Sequence, residues 1–126
     1  MTRINVVPVE ELSQKHLVAE YRELPRIFGA VRTVLAKGMT PHDTRQDPDA
    51  YRLGKGHMKF FYNRLTFLAK RQSALVEEMV RRGFKPTFTD DLRKVHHDIP
   101  SVWWNDYVPT PEALTINRAR MKERTK

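Results

Sequence analysis

The 126-residue chain has no cysteine. That excludes a disulfide framework, thiolate zinc sites and cysteine nucleophiles, and it fits a reducing compartment. Glycine is scarce, at 5 residues, and Gly54-Lys55-Gly56 is too short to cradle a phosphate. No apolar run approaches the roughly 20 residues that span a bilayer. The opening MTRINVVPVEE is too short, and turns acidic too soon, to read as a secretory signal. Acid is also in short supply: 15 Asp and Glu stand against 23 Lys and Arg, a net charge of +8. Such a surface favours a polyanion, nucleic acid ahead of an anionic membrane, the plainer reading being a soluble basic protein.

What is present is helical. Leu17, Tyr21, Leu24, Phe28, Val31 and Leu35 recur at steps of four and three, which predicts a helix over 13–37 with Ser13 as N-cap and Gly38 as its stop. Pro25 removes one donor inside that run, so a kink is expected there, the apolar stripe continuing beyond it. Phe61, Leu65, Leu68, Leu75 and Met79, with Gln72 filling a gap, predict a second helix over 57–82 ending at Gly83. Thr110-Pro111-Glu112 is a helix start, with an N-cap, a first-position proline and a first-turn acid. The third helix runs on towards the C-terminus with only Leu114 and Met121 as apolar stripe, so it depends on docking.

Residues 38–56 and 84–109 are irregular, rich in Pro, Gly and Asp, with Trp103, Trp104 and Tyr107 in the second. Loops this long in a small domain are functional or wrapped over the core. No strand signal, repeat or low-complexity tract emerges. The fold class is therefore all-α: a compact single domain, residues 1–126, of three main helices with long irregular loops.

His16, Glu23 and Arg26 fall on one stripe of the first helix, with Arg22 beside them. The bland reading is a solvated face with an ordinary ion pair. Against it, the cluster sits at the proline, and the opposite face already accounts for the core.

Here the residues resemble a family. Met1-Thr2-Arg3-Ile4-Asn5, His16-Leu17, the block Ala19-Glu20-Tyr21-Arg22-Glu23-Leu24-Pro25-Arg26, and Phe28-Gly29-Ala30-Val31-Arg32 look like the phage-type pyrimidine-dimer DNA glycosylase and abasic-site lyase family of UV repair (the endonuclease V family). Gly56-His57, Phe60-Phe61-Tyr62, Lys70-Arg71-Gln72, Arg82-Gly83-Phe84, Asp98-Ile99-Pro100 and Ala119-Arg120 extend the likeness over nearly the whole chain. The resemblance implies an N-terminal segment threaded into the helical body. It also implies a nucleophile, the α-amine of Thr2 once Met1 is removed, that breaks the glycosidic bond of the 5′ pyrimidine of a cyclobutane dimer and then cuts the strand by β-elimination. Glu23 matches the essential carboxylate. Arg3, His16, Arg22, Arg26 and Arg120 match positions that contact DNA or the lesion, and Arg124 stands one turn beyond Arg120. Lesion-containing double-stranded DNA is the implied partner. A monomer, no membrane, no metal, no cofactor and a cytoplasmic setting (bacterial cytosol or nucleoid, or a phage-infected cell) complete the expectation.

The chemistry suits these residue types. An α-amine titrates near 7.7–8.0 against about 10.4 for lysine, so roughly several hundredfold more of it is unprotonated at neutral pH. Arg3, Arg22 and Arg26 lower it further by repulsion. Glu23 can stabilise positive charge developing on the sugar and move protons during ring opening.

Three departures qualify the likeness. The family carries an aromatic, basic tail beyond the third helix, and this chain stops at Lys126, which puts lesion specificity in question more than amine chemistry. Trp103 and Trp104 either replace that tail by stacking on an exposed base or pack their loop onto the core. Residues 38–56 run one residue longer, and Lys15 stands where the family has Gln. His96-His97-Asp98 lacks the spacing of a closed metal site. The competing functions are the same chemistry on another modified base or on abasic sites alone, a non-catalytic basic helical DNA-binding module, and a peripheral membrane protein.

Overall fold

A computed structural model describes residues 4–41 and 57–124. They form four helices of ten residues or more, α1 (Gln14–Glu23), α2 (Pro25–Ala36), α4 (Leu65–Arg81) and α6 (Pro111–Arg124), and two single turns, α3 (His57–Phe60) and α5 (Leu92–Val95). No strand occurs among the described residues, in keeping with the all-α expectation.

The first expected helix is two helices sharing a joint. Ser13 caps α1, its hydroxyl accepting the His16 N–H at 3.2 Å. Leu24 interrupts the pattern yet keeps helical angles, φ −56° and ψ −44°, so the stripe of Leu17, Leu24, Phe28 and Val31 is buried throughout. Pro25 starts α2 at its first position. Having no N–H, it leaves the Tyr21 carbonyl without its helical donor. Gln72 of α4 supplies one, its Nε2 donating to Tyr21 O at 3.2 Å. The proline thus creates the polar seat on which α4 docks.

The second expected helix is also broken, into α3 and α4. The interruption comes from the aromatic loop. In an unbroken helix the Phe67 N–H would reach the Asn63 carbonyl. Instead Asn105 stands between them: its N–H and its Nδ2 both donate to Asn63 O, at 3.3 and 2.8 Å, and the Phe67 N–H donates to Asn105 O at 3.4 Å. The guanidinium of Arg64 closes the turn by donating to Phe60 O and lying 4.0 Å over the Phe60 ring. Gly83, at φ +89°, ends α4, with the Phe84 N–H turned back to Met79 O at 2.9 Å.

The third helix starts as read, the Ala113 N–H donating to Thr110 Oγ1 at 3.1 Å. Its inward face is Ala113 and Asn117, both buried, with Leu114 and Met121 at the margin.

The 84–109 segment wraps the core. The Tyr21 hydroxyl accepts the Phe88 N–H at 2.7 Å, and Arg32 takes both oxygens of Asp98, at 2.9 and 2.6 Å. Trp103 is a core residue at 1% exposure, so it has no face for a base. Trp104 is half-buried, its Nε1–H donating to Ile99 O at 3.0 Å. The choice left open for the pair is settled for Trp103: it packs.

Candidate active site

Residues 4–8, ahead of a single 3-10 turn at Val9–Glu11, are not helical, and they run through the protein. Ile4, Val6, Val7 and Val9 are buried. An extended segment inside a helical body has backbone N–H and C=O groups with no ladder to join, and each must find a partner. Buried polar side chains from three helices, α3, α4 and α6, provide partners, and a fourth from α1 holds the Asn5 side chain.

From α3, His57 Nε2 accepts the Ile4 N–H at 2.7 Å. That fixes the neutral ring with its proton on Nδ1. From α6, the Asn117 Oδ1 accepts two N–H groups, Val6 at 2.6 Å and Val7 at 3.1 Å, while its Nδ2 donates to Asn5 Oδ1 at 2.7 Å. From α4, Arg71 donates to Val7 O at 2.6 Å. From α1, Glu20 accepts Asn5 Nδ2 at 2.8 Å and two bonds from Arg71, at 2.5 and 3.1 Å. Both Glu20 oxygens and all three Arg71 nitrogens are engaged within this cluster.

The described residues among those singled out in sequence lie on α1, α2 and α6. Glu23, half-buried, is the last residue of α1, one turn beyond Glu20. Arg22 and Arg26 are exposed on either side of the joint, and among the described residues neither has an ion-pair partner. His16 is half-buried in the first turn of α1, its Nδ1 3.0 Å from Ser13 Oγ. It lines a shallow hollow with Glu11, Arg118, Met121 and Lys122, so α1 and α6 meet there. Arg120 is half-buried on α6 and bonded to Glu123 at 3.3 Å. Arg124 is the last residue of α6. Thr2 and Arg3 lie outside the described residues.

The family model for pyrimidine dimer DNA glycosylases matches residues 1–92, from the N-terminal segment to the start of α5. The chain belongs to that family. Its members act in the repair of UV-damaged DNA, and this glycosylase has damaged DNA as its partner. Among its described residues no helix is long and apolar enough to cross a membrane.

Sequence reasoning picked out exposed and half-buried charged residues on α1, α2 and α6, and missed the buried polar cluster that holds the N-terminal segment. Glu20 and Arg71 sit inside quoted motifs, but as charged residues on helices they were indistinguishable from surface groups. Asn117 carries one available signal: it is a polar residue four positions after Ala113 on the only face of α6 able to dock. His96, in the weak metal candidate, is instead held by Arg32, whose Nε–H donates to its Nδ1 at 2.9 Å, and it stacks on Phe28 at 4.8 Å. Burial first, then the Arg32 charge, lowers its pKa below 6.5.

Proposed function

We propose that this chain, acting as one domain and as a monomer, is a pyrimidine-dimer glycosylase with abasic-site lyase activity, its nucleophile the α-amine of Thr2 after loss of Met1. The observation that carries the reading is the 2.8 Å bond between Asn5 and Glu20. Thr2 precedes Asn5 by three residues, a reach of at most about 10 Å of extended chain. Glu23 follows Glu20 by one helical turn, roughly 5–6 Å away along α1. A terminus tethered at Asn5 is therefore within range of Glu23, with Arg22 and Arg26 beside it.

The amine attacks C1′ of the 5′ nucleotide of the dimer. The C1′–N1 bond breaks and the base leaves with its electron pair, taking up a proton. The sugar ring opens to a protonated imine, with Glu23 stabilising the cationic sugar and carrying protons. Loss of a C2′ proton then expels the 3′ phosphate, and water hydrolyses the imine to free the enzyme. Arg3, His16, Arg22, Arg26, Arg120 and Arg124 hold phosphates and the bent duplex around the lesion. The dimer already weakens stacking and pairing, which lowers the cost of extruding a nucleotide.

Borohydride reduction tests this on two duplexes, one with a single thymine dimer and one with an abasic site, followed by peptide mapping. A covalent band on both, linked at Thr2, is the expected result. A band on the abasic duplex alone would move the substrate elsewhere while keeping the amine. No band from protein shown to begin at Thr2 would leave a non-catalytic DNA-binding module.

A further inference from the structure

Asn117 is the only contact through which α6 reaches the backbone of the N-terminal segment among the described hydrogen bonds, and it does so from complete burial, at 0% exposure. Its amide is used at both ends. One oxygen accepts the Val6 and Val7 N–H groups, and the nitrogen holds Asn5, the residue that Glu20 holds from the other side. A second fastening lies one residue on, where Arg118 grips both oxygens of Glu11 at 2.9 and 2.8 Å. The segment is therefore clamped between α1 and α6 at Asn5–Val7, next to the Ile4 N–H that His57 holds.

We infer that Asn117 is a positioning residue for imine formation: it fixes the direction in which the terminal amine leaves the body, and so couples the helix that carries Arg120 and Arg124 to the nucleophile. This rests on the amine reading above. The physical reason is the cost of misplacement. A reacting amine displaced by about 1 Å loses on the order of a hundredfold in rate, because attack needs a near-contact geometry. Without the amide, two backbone N–H groups and the Asn5 Oδ1 lose their partners inside the protein, and the segment must shift to find others.

The test uses the full chain beginning at Thr2, with Asn117→Leu, which keeps the heavy-atom count and the branching at Cγ and removes every bond, and Asn117→Ser, which keeps an oxygen able to accept from the segment. Two quantities are read on an abasic duplex: affinity, on an uncleavable tetrahydrofuran analogue, and the single-turnover rate of borohydride trapping at saturating protein. Asn117→Leu is expected to lose about tenfold or more in trapping rate while affinity moves by less than about threefold, with Asn117→Ser between it and the parent. Trapping by Asn117→Leu at the parental rate would overturn the positioning role and leave the amine reading intact. A parallel fall in affinity and rate, matching the folded fraction by circular dichroism, would overturn it too, reducing Asn117 to a structural contact. Should Asn117→Leu fail to fold, Asn117→Ser is judged by the same split. Failure of the parent chain to trap at all would defeat both the amine reading and this one, a result distinct from the others.

Discussion

Glu20 holds Arg71 through both carboxylate oxygens, with the Glu20 side chain fully out of water and Arg71 at 7% exposure. Stripping two charges of water costs several kcal/mol per ion, and attraction between them offsets that only when the remaining lone pairs and donors are also filled. Here each ion has a further partner: Asn5 Nδ2 donates to a Glu20 oxygen and Arg71 donates to Val7 O. The pair is thus part of one arrangement with the N-terminal segment, which explains a buried charge in a protein with ample surface for it.

Breaking one side of this pair is expected to be severe. Glu20→Gln leaves the Arg71 charge buried without its counterion and should destabilise the protein by about 3–5 kcal/mol. Urea unfolding of Glu20→Gln against the double variant Glu20→Leu/Arg71→Met is the check. The double variant should lose less than the single one. An additive, larger loss would show that the pair is not coupled.

The main helical stretches were legible because apolar spacing is a property of each segment by itself. So were the helix stops at Gly38 and Gly83, both at positive φ. The two breaks were not equally readable. Pro25 announced the first in its own segment. The second is imposed on Asn63 by Asn105, from 42 residues away, and no pattern within 57–82 contains it. Likewise the charged group of His16, Arg22, Glu23 and Arg26 follows from helical spacing. The roles of Glu20, Arg71 and Asn117 arise only when three helices converge on a chain segment that lacks hydrogen bonds of its own.

The Gln72–Tyr21 contact makes a prediction about Pro25. Gln72→Leu should cost about 1–3 kcal/mol, because the Tyr21 carbonyl then has no donor. Pro25→Ala restores a helical donor to that carbonyl, so in the Pro25→Ala background the cost of Gln72→Leu should shrink. A double-mutant cycle by chemical denaturation measures the coupling; equal costs in both backgrounds would mean the carbonyl is satisfied another way.

Glu23→Gln separates chemistry from binding. The substitution keeps shape and removes the charge, and it should lower turnover on a dimer-containing duplex by about 10²–10⁴-fold if Glu23 moves protons. DNA affinity should hold or rise, since a negative charge near phosphates is gone. Nicking assays and gel shifts on the same preparation read the two effects. Unchanged turnover would remove Glu23 from the mechanism.

The exposed arginines at the helix joint should act mainly on phosphates. Each phosphate neutralised contributes about one to the slope of log affinity against log salt, so Arg26→Gln should flatten that slope by roughly one on damaged and undamaged duplex alike. A titration from low to moderate salt checks it. A loss confined to damaged DNA would instead make Arg26 a lesion contact.

The Arg32, His96 and Asp98 cluster, which straps the 84–109 segment to α2, should give stability two separate acid steps. His96 accepts from Arg32 through Nδ1, and burial and the Arg32 charge hold its pKa below 6.5, opposed only by Asp98. The unfolded chain therefore binds the proton more readily, so this contribution is complete above about pH 6.5 and erodes as pH falls below it. Asp98 behaves in the same sense at lower pH: Arg32 holds it at about 2 against 3.8, so its contribution persists down to about pH 4 and is lost towards 2. In His96→Gln, an amide oxygen can still accept from Arg32 but does not titrate. Its urea midpoint should therefore fall less than the parent's between pH 7 and pH 5, whatever His16 and His57 contribute to both curves. Parallel curves would mean that His96 takes up its proton in the folded protein as easily as in the unfolded chain, and that the bond to Arg32 does not constrain it.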